Sequence, residues 1–445
     1  MKYPIGIQSF DQLIEDGYVY VDKTDLVYSL VKEGKIYFLS RPRRFGKSLL
    51  VSTLKNYFLG KKDLFKGLKI EALEKDWLVY PVFHIDFNGG NFTNPGELNL
   101  WIKAYIDSWE RDFGFETDAN LPVGLRFMEI LKYAHTATGR RAVVLVDEYD
   151  KPILDVLDVN KDILKGFYSV FKGADEHLQF VFLTGVTKFS QVSVFSGFNQ
   201  PNDISMHCKY EALCGISQEE LDATFRKPVE SMSEIYKCSY EEMRAMLKSH
   251  YDGYHFSDSM TDIYNPFSLL NAFDAQRISD YWFKSGTPTY LIRLLSHTDE
   301  NMSDITGKYY APEEFIDYKA NVEQPLPMIY QSGYLTIKEF DIRRNMFLLD
   351  YPNNEVKKGF LSLIASSYFK TRESIYSWVN NAAYLLEDGK LDDFRTGLAS
   401  FLASIPYTMR RKENEREKER YFYYTFYLIM RLLSVYTVYT EKEQS

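Results

Sequence analysis

The sequence predicts an α/β fold in which a parallel sheet is flanked by helices. Up to about residue 210, short apolar strand runs alternate with helical segments, which is the pattern of a doubly wound sheet. The first strand run, Ile36–Ser40, leads through a basic, glycine-containing turn into a helix. Another run, Ala142–Val146, is apolar throughout, as a strand buried on both faces requires, and two acids follow it.

The elements of this first region follow in order along the chain. Ile36–Ser40 is a strand, and apolar residues at helical spacing predict a helix over Lys47–Phe58, with Gly60 as its C-cap. The same periodicities predict strands at Pro81–Phe87, Ala142–Val146 and Phe180–Leu183, and helices at Leu98–Phe113, Gly124–Ala137 and Asp162–Ala174.

Beyond residue 210 the apolar strand runs stop and helices dominate. Ser217–Phe225 and Tyr240–His250 are predicted helices of a second region. Gln331–Glu339 and Asn345–Tyr351 predict a β-hairpin connector, after which a third helical region begins near Val356. The expected domains are therefore residues 1–210, 211–325, 326–352 and 353–445.

The turn after the first strand carries a phosphate-loop signature. Residues 41–48 match the pattern GxxxxGK[ST] at the last three positions, with Arg41 where the first glycine stands. Inward-facing N–H groups before a helix N-terminus favour phosphate, so we expect Lys47 to reach the β- and γ-phosphates and the Ser48 hydroxyl to bind Mg²⁺. The residues predicted to hold the nucleotide are Arg41, Arg43, Arg44, Phe45, Gly46, Lys47, Ser48 and Leu49.

Two strand ends downstream predict the rest of this site. Asp147 and Glu148 close the buried apolar run, at the carboxyl end where open α/β sheets bind ligands. We expect Asp147 to hold Mg²⁺ through water, and Glu148 to polarise an attacking water as a general base. Thr184 is a candidate for contact with the γ-phosphate or that water, although ordinary turn chemistry explains it and Lys188 nearly as well. The predicted catalytic residues are Glu148, Lys47 and Thr184, with ATP and Mg²⁺ as cofactors.

Composition narrows the classes of protein that fit. The formal net charge of −9 argues against non-specific coating of nucleic acid, while a local basic groove remains compatible with it. The three cysteines, Cys208, Cys214 and Cys238, contain no CxxC pair, so neither a disulfide framework nor a zinc site is supported. The N-terminus is not leader-like and no run of about 18 apolar residues occurs, so we expect a cytoplasmic protein with no membrane contact.

Several longer segments are similar to those of one family. They are YPIGIQSFDQLIEDGYVYVDKTDLV, RPRRFGKSLLVSTLKNYF, VVLVDEYDKPI, FVFLTGVTKFS, YDGYHF, YNPFSLLNAF, YWFKSGTPTYL, QSGYLTIKEF and DYPNNEV, and together they cover Lys2 to about Val356. The chain thus resembles the AAA-ATPase-like proteins of bacteria and archaea, which are often joined to a C-terminal PD-(D/E)XK nuclease domain. That family itself uses RPRRFGKS. The resemblance implies an ATP-binding P-loop NTPase domain with an attached helical region.

The C-terminal part departs from the family. There the nuclease region runs from PNNEV through a Tyr-rich helix and a strand to the residues that hold the catalytic metal. Tyr421–Leu433 resembles that helix, Val435–Thr440 the strand and Glu441 the acid after it, but the sequence ends at Ser445 before the remaining ligands. We expect an incomplete nuclease-like region, truncated or decayed and without nuclease activity. The charge run Met409–Arg420 is expected to be a solvated helix face.

The sequence favours an ATPase and leaves two alternatives open. One is a nucleotide-dependent regulatory protein with little turnover, which steady-state phosphate release would distinguish. The other is a component that processes nucleic acid, which salt-dependent retention on DNA would support. A small-molecule kinase fits less well, because Glu148 directly after Asp147 suits activation of water. The loop arginines can act within the subunit or reach a neighbour, so a homo-oligomer is also left open.

Overall fold

The computed structural model of the chain describes residues 1–94, 96–155, 157–189, 201–285, 305–317, 325–369 and 375–404, together with Phe426, Ile429, Met430 and Leu433. Several of the segments discussed above therefore lie outside the described residues: Met409–Arg420, Tyr421–Leu433 apart from those four residues, Val435–Thr440 and Glu441.

Five parallel strands form the central sheet. They are β1 Ile36–Ser40, β2 Val82–Asp86, β3 Ala142–Asp147, β4 Leu178–Gly185 and β5 Asn202–Asp203. Their order across the sheet is β2-β3-β4-β1-β5, and every neighbouring pair is parallel. Strand β4 thus separates the strand that leads into the phosphate loop from the strand that ends in the two acids. All six residues of β3 are buried, as its apolar sequence predicts.

Helices flank this sheet, and the predicted α/β class is confirmed. Helix α3 packs against β2, β3 and β4, while α5, α6 and α8 pack on one another. Buried aromatic and branched side chains of the sheet and these helices form one continuous apolar core. The helices of this part are α1 Phe10–Glu15, α2 Thr24–Glu33, α3 Lys47–Phe58, α4 Lys69–Leu73, α5 Glu97–Phe113, α6 Val123–Thr138, α7 Lys151–Asp155 and α8 Leu157–Gly173.

A helical region with its own apolar core follows. Its elements are β6 Ile216–Ser217, α9 Gln218–Thr224, α10 Arg226–Tyr236, α11 Tyr240–Tyr251, β7 Ile263–Tyr264, α12 Pro266–Ala275 and α13 Tyr281–Lys284. Helices α9 and α11 begin at capping boxes, in which Ser217 pairs with Glu220 and Ser239 with Glu242. The antiparallel pair β6–β7 was not predicted, because two-residue strands are too short to show a periodicity.

The hairpin connector is present, with a third strand beside it. Strands β9 Thr336–Asp341 and β10 Met346–Asp350 are antiparallel, and β8 Lys308–Tyr310 pairs with the far side of β10. Strand β9 begins later than the prediction at Gln331, because Gln331 closes a helix and Gly333 then turns the chain at φ +87°. The helices of this part are α14 Pro312–Phe315, α15 Leu326–Gln331, α16 Asn354–Phe369, α17 Ile375–Glu387 and α18 Leu391–Ser404.

The apolar cores bear on the expected domain division. The core around the sheet continues into residues of α13, α15 and α16, such as Trp282, Met328 and Phe360. Because one apolar core contains residues from both sides of the expected boundaries at 210, 325 and 352, the core does not divide the chain there, and these boundaries remain predictions. Within the described ranges, no helix has the length and apolarity needed to cross a bilayer.

Candidate functional site

A cavity of about 660 Å³ opens where the loops after β1 and β3 leave the sheet. It is bounded by the N-terminal segment, these two loops, the helical region and the turn before β9. Residues that line it include Ile5, Gly46, Lys47, Glu148, Phe267 and Tyr334. A cavity of this size that combines apolar walls with a few converging charged groups is the usual form of a small-molecule site.

The phosphate loop joins β1 to α3, and two of its residues have backbone angles in the left-handed region. Arg44 has φ +69° and Gly46 has φ +94°. A Cβ atom on Gly46 would meet nothing within 4 Å, so the loop leaves open space in front of this glycine. The first N–H groups of α3 have no partner inside the helix, which makes this end of the helix a ready anion site.

Lys47 is the buried cation of the loop. Its side chain is 4% exposed, and its ammonium donates to the carbonyl oxygens of Arg41 and Pro42 at 3.1 and 3.3 Å. The same nitrogen lies 3.8 Å from Oε1 of Glu148. Lys47 therefore lies between the loop and the end of β3, where a phosphate group could replace its contacts with carbonyl oxygens.

Arg41 does not have the expected position beside a phosphate. Its guanidinium is buried under the loop, donates to the carbonyl oxygens of Ser40, Ser205 and Tyr210, and stacks on Phe256 at 4.1 Å. Arg41 is also absent from the cavity lining among the described residues. The arginine at the first position of the motif thus uses its side chain to hold the base of the loop.

The other predicted loop residues divide into two groups. Arg43, Arg44 and Leu49 line the cavity, as expected for residues near a ligand. Phe45 does not, because its ring is buried against Tyr254 at a centroid distance of 4.8 Å. Phe45 therefore anchors the loop to the helical region, and only its backbone remains available to a nucleotide.

Asp147 and Ser48, the two residues of the metal prediction, lie near each other. The Asp147 carboxylate is 3% exposed, and the Ser48 hydroxyl is close enough to affect its pKa. Burial raises the pKa of Asp147 to about 6; the nearby Ser48 hydroxyl opposes that rise and the Glu148 carboxylate adds to it. A buried carboxylate beside a second acid is an environment that a cation would stabilise.

Glu148 occupies a strained turn at the end of β3. Its φ is +53°, an uncommon value for a residue with a side chain, and its carboxylate faces the cavity. The next residues hold the turn in place, since Tyr149 N–H donates to the Thr184 carbonyl and Asp150 accepts from the N–H groups of Val186 and Thr187. The strain is therefore maintained by bonds to the end of β4.

Thr184 and Lys188 are placed away from the cavity. The Thr184 side chain is fully buried, and its hydroxyl donates to the carbonyl oxygen of Leu39 in β1 at 2.9 Å. Lys188 pairs with Asp203 at 2.9 Å and Asp317 at 3.5 Å. Neither side chain is among those that line the cavity, so the expected direct contact with phosphate or water is not what this geometry offers.

Comparison with known proteins decides the family. A family model described as "Predicted AAA-ATPase" matches residues 4–195. The "uncharacterized protein in vnfD 5′ region" of Azotobacter chroococcum mcd 1 is 36% identical over 437 residues, which span 96% of this chain and 82% of that protein. The chain belongs to the predicted AAA-ATPase family. This membership supports an ATP-binding P-loop protein.

Three solved structures are similar to this chain, each with a low TM-score. The Walker-type ATPase PABY2304 of Pyrococcus abyssi has a TM-score of 0.39 and 11% identity, covering 80% of this chain and 97% of that one. Cdc6p of Pyrobaculum aerophilum has a TM-score of 0.29 and 12% identity, covering 77% and 90% of the two chains. The Aeropyrum pernix ORC1 protein, solved in complex with DNA, has a TM-score of 0.27 and 10% identity, covering 77% and 92%. The family assignment rests on sequence alone.

Two features of this AAA-ATPase-like site were missed by sequence reasoning. Asp86 ends β2 directly beside Asp147 in the sheet register, and burial, together with the charge of Glu148, raises its pKa. The acid that closes the strand run Pro81–Phe87 was the available signal. The N-terminal segment from Pro4 to Gln8 also lines the cavity. Its sequence has no periodicity or motif from which this position could have been predicted.

The residues present fit a nucleotide with a hard divalent cation. The cavity offers a lysine ammonium, a helix N-terminus and two arginines to phosphate, and apolar walls at Ile5 and Phe267 to a flat ring. The oxygens of Ser48 and Asp147 are of the type that Mg²⁺ prefers. No group of three or more His, Cys, Asp or Glu side chains that could hold a metal by themselves occurs in the described part of the chain, this site included.

Proposed function

We propose that this member of the predicted AAA-ATPase family binds ATP with Mg²⁺ and hydrolyses it in the cavity at the ends of β1 and β3. The observation that carries the proposal is the meeting of Lys47 and Glu148, whose charged atoms lie 3.8 Å apart inside one cavity. A phosphate-binding cation and a candidate base thereby face the same part of the cavity, beside which a terminal phosphate would bind.

The loop supplies the binding part of this function. Phosphate oxygens accept from the N–H groups at the start of α3, and the Lys47 ammonium exchanges its two carbonyl partners for a charged one. Arg43 and Arg44 line the same cavity and add positive charge there. The Arg41 guanidinium ties the start of the loop to Ser205 and Tyr210, and its side chain binds no phosphate in this scheme.

Ser48 and Asp147 are the proposed metal ligands. These side chains would hold Mg²⁺, which when bound neutralises developing charge on the phosphate oxygens. Asp147 also accepts the N–H of Glu148 at 3.0 Å, so the same carboxylate fixes the backbone of the candidate base. Asp86, next to Asp147 across the sheet, supplies further negative charge on this side of the site.

Glu148 is the general base of the proposal. Its carboxylate is 21% exposed at the cavity, where it can accept a proton from a water positioned for attack. Thr184 contributes indirectly, because its hydroxyl links β4 to β1 while its carbonyl accepts the N–H of Tyr149. We assign it a positioning role and not the catalytic contact that the sequence suggested.

Steady-state phosphate release tests the hydrolysis. Glu148→Gln keeps the shape of the side chain and removes the base, so the rate should fall by about a hundredfold or more, while ATP affinity stays within a few-fold of wild type. The exposed acid Glu129 on α6 provides the matched control, and Glu129→Gln should release phosphate at the wild-type rate. Release by Glu148→Gln at the wild-type rate would refute the role of Glu148. A wild-type protein that binds ATP without releasing phosphate would instead favour the low-turnover regulator.

A further inference from the structure

The phosphate loop has a contact on its outer side that the proposed function does not use. The indole N–H of Trp282, in the short helix α13, donates to the carbonyl oxygen of Arg43 at 3.0 Å. Trp282 is 6% exposed and lines the cavity together with Arg43. A tryptophan far along the chain therefore touches both the loop backbone and the space that the nucleotide would fill.

This hydrogen bond fixes the direction of a loop amide. In a planar trans peptide the C=O of one residue and the N–H of the next point in opposite directions. Holding the Arg43 carbonyl toward Trp282 therefore orients the N–H of Arg44 to the opposite side. Arg44 has φ +69°, a conformation that costs energy in a residue with a side chain and needs such outside support.

Trp282 is itself held by the beginning of α16. Its backbone N–H donates to Oε1 of Glu355 at 2.6 Å and lies 3.1 Å from Oγ of Ser268. Its ring packs on Tyr334 at a centroid distance of 5.2 Å, and Tyr334 packs on Phe360 at 5.1 Å. Glu355 is 1% exposed, so this acceptor is fixed inside the structure and not supplied by a mobile surface side chain.

The loop is clamped at adjoining residues as well. A Cβ atom on Gly333 would lie 2.7 Å from the Pro42 side chain, so the turn before β9 lies directly against the loop. The Arg44 guanidinium stacks on Phe267 at 5.1 Å. Three successive loop residues, Pro42 to Arg44, are thus in contact with elements that follow residue 260.

We propose that Trp282 is a positioning residue for the phosphate loop, and that Glu355 holds it there, so that nucleotide binding is coupled to the start of α16. The proposal rests on the nucleotide site proposed above. It assigns to the C-terminal part of the chain a direct influence on ATP affinity, through one side chain and two hydrogen bonds.

Trp282→Phe is the first test, because it removes the N–H donor and keeps an aromatic ring against Tyr334. We expect ATP affinity to fall by about two- to tenfold, the factor that one hydrogen bond contributes. In wild type, tryptophan fluorescence should change on addition of ATP and Mg²⁺, and this change should be absent in Trp282→Phe. The maximal rate of turnover should fall less than the affinity, because the base is untouched.

Trp378→Phe is the matched control. The indole N–H of Trp378 also donates to a backbone carbonyl, that of Gly397 at 3.2 Å, but it joins α17 to α18 away from the cavity. This variant should keep wild-type ATP affinity and the fluorescence change. If Trp282→Phe binds ATP as tightly as wild type and keeps the fluorescence change, Trp282 has no positioning role, although the proposed function stands. Absence of ATP binding in wild type would instead remove the proposed function.

A second pair of variants covers the case in which Trp282→Phe does not fold. Glu355→Gln keeps an acceptor for the Trp282 N–H, whereas Glu355→Ala removes it. We expect ATP affinity and the fluorescence change to be near wild type in Glu355→Gln and reduced in Glu355→Ala. Equal ATP affinity and equal fluorescence changes in the two variants would show that Glu355 does not act through Trp282, and would overturn the coupling.

Discussion

At the scale of a single residue, the proposal gives the Asp147 side chain two purposes. Its carboxylate lies near Ser48, where the proposed metal would bind, and it accepts the N–H of Glu148 at 3.0 Å. Asparagine can still accept that N–H but lacks the negative charge. The two purposes can therefore be separated by one substitution.

Asp147→Asn should raise the Mg²⁺ concentration that gives half-maximal turnover by about 10- to 100-fold, the loss typical when a group that supports a metal is changed. The measurement is a Mg²⁺ titration of phosphate release at saturating ATP. Asp112→Asn, on the exposed face of α5, is the control and should follow the wild-type curve. An unchanged Mg²⁺ requirement in Asp147→Asn would remove Asp147 from the metal site.

At this scale the sequence predicted which residues lie near the site, but not the direction in which each of their side chains points. Lys47, Ser48 and Glu148 were predicted from motif spacing and line the cavity in the structure. Arg41 and Thr184 were predicted with them, yet the Arg41 side chain donates to the carbonyl oxygens of Ser205 and Tyr210, and the Thr184 hydroxyl donates to that of Leu39 in the neighbouring strand. Which way a side chain points depends on partners far along the chain, and a local pattern contains no information about those partners.

At the scale of elements, the ends of β3 and β4 are joined by one buried acid. Asp150 is fully buried and accepts from the N–H groups of Val186 at 3.0 Å and Thr187 at 2.7 Å. Burial, with the charge of Glu148, raises its pKa. The link stabilises the strained turn at Glu148 by tying it to the strand that lies between β1 and β3.

Asp150→Ala should lower the free energy of unfolding by at least about 1–3 kcal/mol, because it leaves buried N–H donors without an acceptor. Asp150→Asn keeps one acceptor oxygen and should cost less. Urea unfolding measures both, with the exposed Asp112→Ala as the control that should change little. A variant Asp150→Ala as stable as wild type would show that the link does not stabilise the fold.

The main elements were predictable because their signals are local. Helix α3 spans Lys47–Phe58 and β1 spans Ile36–Ser40, both at the predicted residues, since each has a clear apolar period and a turn signal at its end. The order of strands in the sheet was not predicted, because it depends on contacts between distant segments. The position of β4 between β1 and β3, which brings Thr184 next to Leu39, could therefore be seen only in the structure.

At the scale of the whole molecule, ionisable side chains with little exposure join the regions of the chain. Lys23 of the N-terminal segment pairs with Glu220 of α9 at 2.6 Å. Glu355 joins α16 to α13, and burial raises its pKa to about 7 from an ordinary value of 4.5. The folded protein thus holds a proton on Glu355 more tightly than the unfolded chain does.

The sign of the pH dependence follows from that difference. Because the folded-state pKa is the higher one, the contribution of Glu355 to stability is fully present below pH 4.5 and is lost as the pH rises to about 7. Glu355→Gln removes this dependence. Wild type loses this contribution as the pH rises from 4.5 to 8, and Glu355→Gln does not. The free energy of unfolding of Glu355→Gln minus that of wild type should therefore grow by up to roughly 3 kcal/mol over this range.

Denaturant unfolding of wild type and Glu355→Gln across this pH range is the measurement. Burial also raises the pKa of Asp252 to about 7. The stability of both proteins should therefore still depend on pH through Asp252, and only the contribution of Glu355 should differ between them. Two stability curves that stay parallel from pH 4.5 to 8 would show that Glu355 does not titrate in this window.

The central claim is that the cavity between the phosphate loop and β3 is an ATP site, and titration calorimetry with ATP and Mg²⁺ tests it most directly. Wild type should bind ATP, and Lys47→Ala should bind it about ten- to a hundredfold more weakly, because charge-assisted hydrogen bonds worth roughly 1.5–3 kcal/mol are lost. Lys66→Ala, at an exposed position, should bind as wild type does. Equal affinity of wild type and Lys47→Ala for ATP would contradict the account.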